Sequence, residues 1–156
     1  MTEQQALQKL AALCSTAEHC QGEMLEKLRK WEIEEAAQAR IMQWLIEQKF
    51  VDDERFCRAF VNDKIKYNKW GRRKIEQALW QKRIDSDLAR RVLDEVSDDD
   101  YLAVLRPLLK SKAKSIKAKD DYEFANKLIR FAAGRGFTFD IIRQCIDHAD
   151  EFLNDD

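Results

Sequence analysis

Residues able to carry catalysis are few and scattered. The histidines are His19 and His148, near opposite ends, and Cys14, Cys20, Cys57 and Cys145 contain no C-x-x-C pair. Cys14-x4-His19-Cys20 gathers metal-capable side chains in one short stretch, but at a spacing foreign to zinc sites. Asp52-Asp53-Glu54 offers carboxylates to a divalent cation. At a helix start, however, such acids accept the free backbone N–H groups, and capping is the better account. There is no G-x-x-x-x-G-K-[ST] loop and no G-x-G-x-x-G turn, so nothing supports nucleotide binding. The expectation is a protein that works by binding, with no catalytic, cofactor or metal site.

Charge is the more informative chemistry. The formal net charge is −1, yet the bases are blocked. Lys64, Lys66, Lys69, Arg72, Arg73, Lys74, Lys82 and Arg83 follow one another with only Glu76 between them. Arg106, Lys110, Lys112, Lys114, Lys117 and Lys119 form a second block without an acid. The acids gather at Asp94–Asp100 and in Asp147, Asp150, Glu151, Asp155 and Asp156. Blocks of this kind bind anionic partners or simply solvate a helix face. Trp70-Gly71-Arg72-Arg73-Lys74 is the most distinctive segment, because bases at a helix N-terminus can grip phosphate or an acidic surface. Trp70 could stack on a base, but before a helix it reads better as a hydrophobic staple in the core. Arg72 and Arg73 should face outward, since Ile75 and Leu79 take the inner face.

The elements that must position these groups are helices. Hydrophobic residues make up 45% and charged residues 37%, with one proline and four glycines, which suits a helical body of large surface and leaves too few turn residues for an all-β chain. Thr2-Glu3-Gln4-Gln5 reads as a capped helix start rather than a signal peptide, and the unpaired cysteines suit a reducing cytoplasm. No apolar run is long enough to span a bilayer. Apolar stripes run through Ala6, Leu7, Leu10, Leu13 and Cys14, then Met24, Leu25 and Leu28, then Ala37, Ile41, Met42, Trp44, Leu45 and Ile46. Others follow through Phe56, Ala59, Phe60 and Ile65, through Ile75, Ala78, Leu79 and Trp80, and through Leu88, Val92, Leu93 and Val96. The last comprise Tyr101, Leu102, Leu105, Leu108 and Leu109, then Phe124, Leu128, Phe131 and Ala132, and finally Ile141, Ile142, Cys145, Ile146 and Phe152. Pro107 marks either a kink or a later helix start. Gly134-Arg135-Gly136 reads as a C-cap.

These stripes repeat. Shifting by 51 residues lays Met24 on Ile75, Ile33 on Ile84, Ala37 on Leu88, Ile41 on Val92 and Leu45 on Val96. A further 53 lays Ile75 on Leu128, Ile84 on Phe137, Leu88 on Ile141 and Val92 on Cys145. The expected fold is all-α, an elongated array of three tandem three-helix repeats at 1–50, 51–97 and 98–156, each burying against its neighbour a face it cannot bury alone.

Phe50-Val-Asp-Asp-Glu-Arg-Phe-Cys-Arg-Ala-Phe60, then Trp70-Gly-Arg-Arg-Lys-Ile75, then Leu79-Trp-Gln-Lys-Arg-Ile84 together resemble the central signature of the RecX family over residues 44–96. The family pattern is a D-D-x-R-F-A-like helix start, a W/Y-G-x-x-K/R-I helix and an L-x-x-K-G-I/V bend; Arg135-Gly-Phe-Thr138 agrees with its third repeat. The signature carries over as Asp52, Asp53, Arg55, Phe56, Trp70, Gly71, Lys74 and Ile75, mostly scaffold. Arg83 and Lys49 stand where the family usually has glycine. If those bends need positive φ, each costs about 1 kcal/mol. Cys57 replaces the usual alanine.

The resemblance implies a modulator, mainly an inhibitor, of the RecA recombinase. Such a protein lodges in the groove of the RecA–single-stranded-DNA filament and limits filament growth, ATPase and strand exchange, without chemistry or cofactor of its own. A cytoplasmic monomer suits that role. Many family members are basic and this chain is slightly acidic, which favours recognition of protein plus filament backbone over DNA alone. An autonomous DNA-binding protein and a helical scaffold for another partner are the alternatives. The candidate contact residues are Lys64, Lys66, Lys69, Arg72, Arg73, Lys74, Lys110, Lys112, Lys114, Lys127 and Arg130, expected along one side.

Overall fold

A computed structural model describes residues 1–146; His148, Phe152 and the acids from Asp147 onward lie outside the described residues. Among the described residues there are nine α-helices and no strand. They are α1 (Glu3–Thr16), α2 (Gln21–Lys30), α3 (Glu35–Glu47), α4 (Asp53–Lys66), α5 (Arg72–Gln81), α6 (Ser86–Asp94), α7 (Asp98–Ala113), α8 (Asp121–Gly134) and α9 (Phe139–Ile146). No helix among them is long and apolar enough to cross a membrane.

Side-chain caps explain most of the starts. Thr2 and Gln5 form a reciprocal capping box on α1: the Gln5 N–H donates to Thr2 Oγ1 (3.1 Å) and the Thr2 N–H to Gln5 Oε1 (2.9 Å). Asp85, Ser97 and Asp120 accept the N–H groups of Leu88, Asp100 and Glu123 at 3.1, 3.2 and 2.8 Å. Ser97 therefore starts α7 well ahead of Pro107, which lies inside the helix; the later-start reading is overturned.

The chain divides into two compact units, Met1–Phe60 with Ala78–Val92 and Val61–Gln77 with Leu93–Asp156. In the first, Ala6, Leu10, Met24, Leu28, Ile41, Met42, Leu45 and Val51 form a buried cluster, with Trp31, Ile33 and Phe50 packed against it. In the second, α7, α8 and α9 pack on one another. They bury Leu102, Leu105, Leu109, Leu128, Phe137, Ile141 and Ile142, each full side-chain burial contributing about 2 kcal/mol. Three residues placed on apolar stripes turn out exposed: Trp44 (36%), Ile46 (42%) and Trp80 (74%). Each is adjacent in sequence to a buried stripe residue, Trp44 and Ile46 to Leu45 and Trp80 to Leu79, and so about 100° round the helix from it.

One turn recurs. Glu32, Arg83 and Gly136 follow α2, α5 and α8 with φ of 58°, 61° and 92°. In each case the next residue's N–H donates back to the helix, Ile33 to Leu28 O, Ile84 to Leu79 O and Phe137 to Ala132 O, at 3.1–3.2 Å. This is the left-handed cap that glycine closes without strain. Lys49 (φ 62°) and Lys69 (φ 58°) end α3 and α4 the same way, so the bends at Lys49 and Arg83 do require positive φ. Replacing Glu32, Lys49, Lys69 and Arg83 together by glycine should relieve this strain. The relief of about 1 kcal/mol per site is partly offset by glycine's freedom in the unfolded chain. A net gain of about 2 kcal/mol, or roughly 4–8 °C in Tm, is the expected result by thermal denaturation. An unchanged melting curve would show that the caps cost nothing.

Candidate functional site

The signature acids and arginine hold helix ends together in the first unit. Asp52 Oδ1 accepts the Arg55 N–H at 3.0 Å, capping α4. Asp53 Oδ1 reaches 32 residues back to accept the Gln21 N–H at 2.8 Å, capping α2. Arg55 donates from Nη2 to Lys49 O (3.1 Å) and from Nε to Glu18 Oε1 (2.7 Å), closing the carbonyl end of α3. Phe56 is buried and stacks on Phe60 with ring centroids 5.5 Å apart.

Burial raises the Asp53 carboxyl above its usual range, against the lowering effect of the Gln21 N–H. The folded state therefore holds this proton more tightly than the unfolded chain. The group's contribution favours folding below the unfolded carboxylate range and is lost as pH rises through the folded pKa. Asp53→Asn keeps an acceptor and should remove that pH dependence, whereas Asp53→Ala should cost about 1 kcal/mol in urea denaturation at neutral pH. Equal stability of both variants would deny Asp53 a capping role.

The candidate contact bases all lie in the second unit, whereas Lys82 and Arg83 of the first basic block lie in the first. Gly71 precedes α5, and its N–H donates to Arg135 O at 2.8 Å, while the Arg73 N–H donates to Gly136 O at 2.9 Å. The start of α5 is thus fixed on the α8–α9 turn. Ile75 is fully buried behind it. Trp70 is half-buried, with the ammoniums of Lys64 and Lys74 5.0 and 4.8 Å from its ring centroid. Cations over an indole in this range are attracted by its negative face, so this ring already has partners. Lys66 lies over Tyr67 (5.3 Å), and Lys69 Nζ donates to Lys66 O (3.1 Å).

Arg72 is half-withdrawn, its side chain 29% exposed, pairing through Nη2 with Asp94 Oδ1 (2.7 Å) and more loosely through Nε with Glu76 (3.8 Å). Arg73 is exposed and has no ion pair among the described residues. On α7 and beyond, Lys110 is exposed, Lys112 lies 5.1 Å over the Phe131 ring beside Arg135 (5.4 Å), and Lys114 is exposed. Lys127 pairs with Glu123 (3.1 Å) and donates to Lys117 O (2.5 Å), while Arg130 is exposed. The structure thus brings together Lys64, Trp70 and Lys74, and gathers Lys112 with Arg135 on Phe131. Sequence reasoning missed Asp94 as the partner of Arg72, because nothing local ties the two. It also missed the exposure of Trp80, which helical periodicity could have supplied.

Burial pushes the Cys20 thiol up to about 11, which starves it of the nucleophilic thiolate. Cys14 Sγ faces Met24 Sδ at 3.8 Å, and Cys20 Sγ faces Glu23 Oε1 and Lys82 O. Among the described residues no three His, Cys, Asp or Glu side chains converge as a metal site would need.

Residues 52–93 match the family model for the second three-helix domain of RecX, and residues 98–146 the model for its third. The regulatory protein RecX of Vibrio campbellii is 32% identical over 139 residues, covering 89% of this chain and 88% of that one. The regulatory protein RecX of Acinetobacter baylyi is 31% identical over 140 residues, covering 90% and 85%. The crystal structure of RecX from Lactobacillus salivarius superposes with a TM-score of 0.86 at 22% identity, over 95% of this chain and 96% of that one, a likeness of fold.

Proposed function

The chain belongs to the RecX family of regulatory proteins, and from that premise we propose that it binds the RecA recombinase filament on single-stranded DNA and restrains it. It would act in the groove of the filament, limiting growth, ATPase and strand exchange by occupancy, as a cytoplasmic monomer with no reaction and no cofactor of its own. The observation that carries this reading is the family match across residues 52–93 and 98–146.

Division into three repeats at 1–50, 51–97 and 98–156 is part of the proposal, supported by the recurring turn at Glu32, Arg83 and Gly136. The contact residues we favour are the second unit's exposed bases, led by Arg73, Lys114 and Arg130. Exposed bases meet phosphates and acidic protein surfaces with little desolvation cost. Lys64, Lys66, Lys69, Lys74, Lys110, Lys112 and Lys127 would add to the same positive field.

Titrating the protein into RecA turning over ATP on single-stranded DNA should lower the ATPase progressively, and the protein should sediment with the filaments. Undiminished ATPase together with no co-sedimentation would remove the proposal.

A further inference from the structure

Among the described residues, Trp80 is the one tryptophan with neither a ring nor a cation against its own ring. Trp44 stacks on Phe50 at 5.5 Å, Trp31 has Lys9 over it at 5.6 Å, and Trp70 has Lys64 and Lys74. Trp80, 74% exposed on the outer face of α5, has neither a ring nor a cation against it among the described residues. With Arg83, Ile84 and Ser86 it lines an open hollow of about 560 Å³. Gln81 and Arg83 carry that hollow into a groove of about 450 Å³ along α2, lined also by Lys27, Lys30 and Lys82. All of these residues belong to the first unit.

Two acids share the groove, and both are engaged: Glu23 bonds Lys82 at 2.9 Å and Glu26 pairs with Lys30 at 3.8 Å. Among the described residues, Lys27 and Arg83 have no carboxylate in ion-pair range. A bare indole beside two uncompensated cations in an open, polar-edged hollow matches the chemistry of an unpaired nucleotide: a base to stack and phosphates on either side. A duplex, whose bases are already stacked on one another, cannot use the ring.

We propose that this surface binds single-stranded nucleic acid directly, with Trp80 stacking a base and Lys27 and Arg83 holding the flanking phosphates. The proposal does not rest on the RecA reading, and its test contains no recombinase, so either can fail alone.

Arg83 supplies an unusual lever, because glycine at its φ of 61° should stabilise the fold while removing the cation. Labelled oligo-dT is titrated by anisotropy at low salt, with tryptophan fluorescence read in parallel. The full chain should bind, and its fluorescence should be quenched. Trp80→Ala should weaken binding by about tenfold, the usual scale for one stacked base, and abolish most of the quench with the melting curve unchanged. Arg83→Gly should also weaken binding, with a raised Tm. Oligo-dT affinity equal to the parent's in both variants, no binding by the parent, or equally tight binding of duplex would overturn the proposal. So would loss in Trp80→Ala of binding to poly-glutamate but not to oligo-dT, which would give the surface to an acidic protein partner.

Discussion

Gly71→Ala should cost about 3 kcal/mol, at the upper end of the usual penalty for overpacking, and lower Tm by roughly 6–12 °C. A Cβ on Gly71 would sit 2.3 Å from both Cα and N of Phe137 and 2.5 Å from the Gly136 carbonyl carbon. These are backbone atoms, and no rotamer change moves them aside. Relief requires α5 to retreat from the α8–α9 turn. That breaks the bonds from the Gly71 and Arg73 N–H groups to Arg135 O and Gly136 O. It also disturbs Phe137, which is 2% exposed and meets Tyr101 edge-on with centroids 6.5 Å apart. Gly136→Ala meets the same wall from the other side, 2.4 Å from Lys74 Cβ and 2.5 Å from Lys74 N, at a φ of 92°. Gly134 is the control. An added Cβ there has nothing within 4 Å, and at the last position of α8 alanine keeps part of its helix-interior advantage over glycine of about 1 kcal/mol, so Gly134→Ala should melt no lower than the parent. If Gly71→Ala melted with the parent, the close seating of α5 on that turn would be wrong.

This seating also separates what the sequence conveys from what it withholds. Helix starts at Thr2, Asp85 and Ser97 are legible because a cap is a local event, decided by a side chain and an N–H three residues on. The strained bends at Lys49 and Arg83 were legible only through the family's glycines at those places. Asp53 was not: its partner is the Gln21 N–H, 32 residues away, where no period or spacing points. Arg72 is a similar case. Placing it on the outer face of α5 was a statement about one helix, and its pairing with Asp94 depends on how helices meet. Trp80 failed differently. It was counted in the apolar stripe with Ile75, Ala78 and Leu79, but Ile75 and Leu79 already define the inward line, and Trp80 falls off it. Of the candidate site, the residue types were legible in the sequence. Which of the bases are already neutralised was not, because that is a tertiary property.

That distinction decides the charge-reversal experiment. Under the proposed function, Arg73→Glu combined with Lys114→Glu and Arg130→Glu should weaken filament binding by about 3 kcal/mol, more than a hundredfold. Charge-assisted contacts contribute about 1–3 kcal/mol each and fall short of additivity. The melting temperature should barely move, since all three side chains are exposed and none has an acid partner among the described residues. Arg72→Glu is a different substitution. It would set a third carboxylate beside Asp94 and Glu76, in place of a guanidinium 2.7 Å from Asp94 Oδ1, and should lower stability as well as binding. A variant reversing Arg72 and Arg73 together therefore mixes the two effects, and Arg73 alone is the cleaner probe. Salt provides the second readout. Phosphate contacts release counterions, so losing them should flatten the dependence of log K on log salt by about 0.7 per contact on single-stranded DNA. A triple reversal that kept the parent's affinity and salt slope would place the filament contacts on another face. Lost affinity with an unchanged slope would mean that these bases meet acidic protein rather than phosphate.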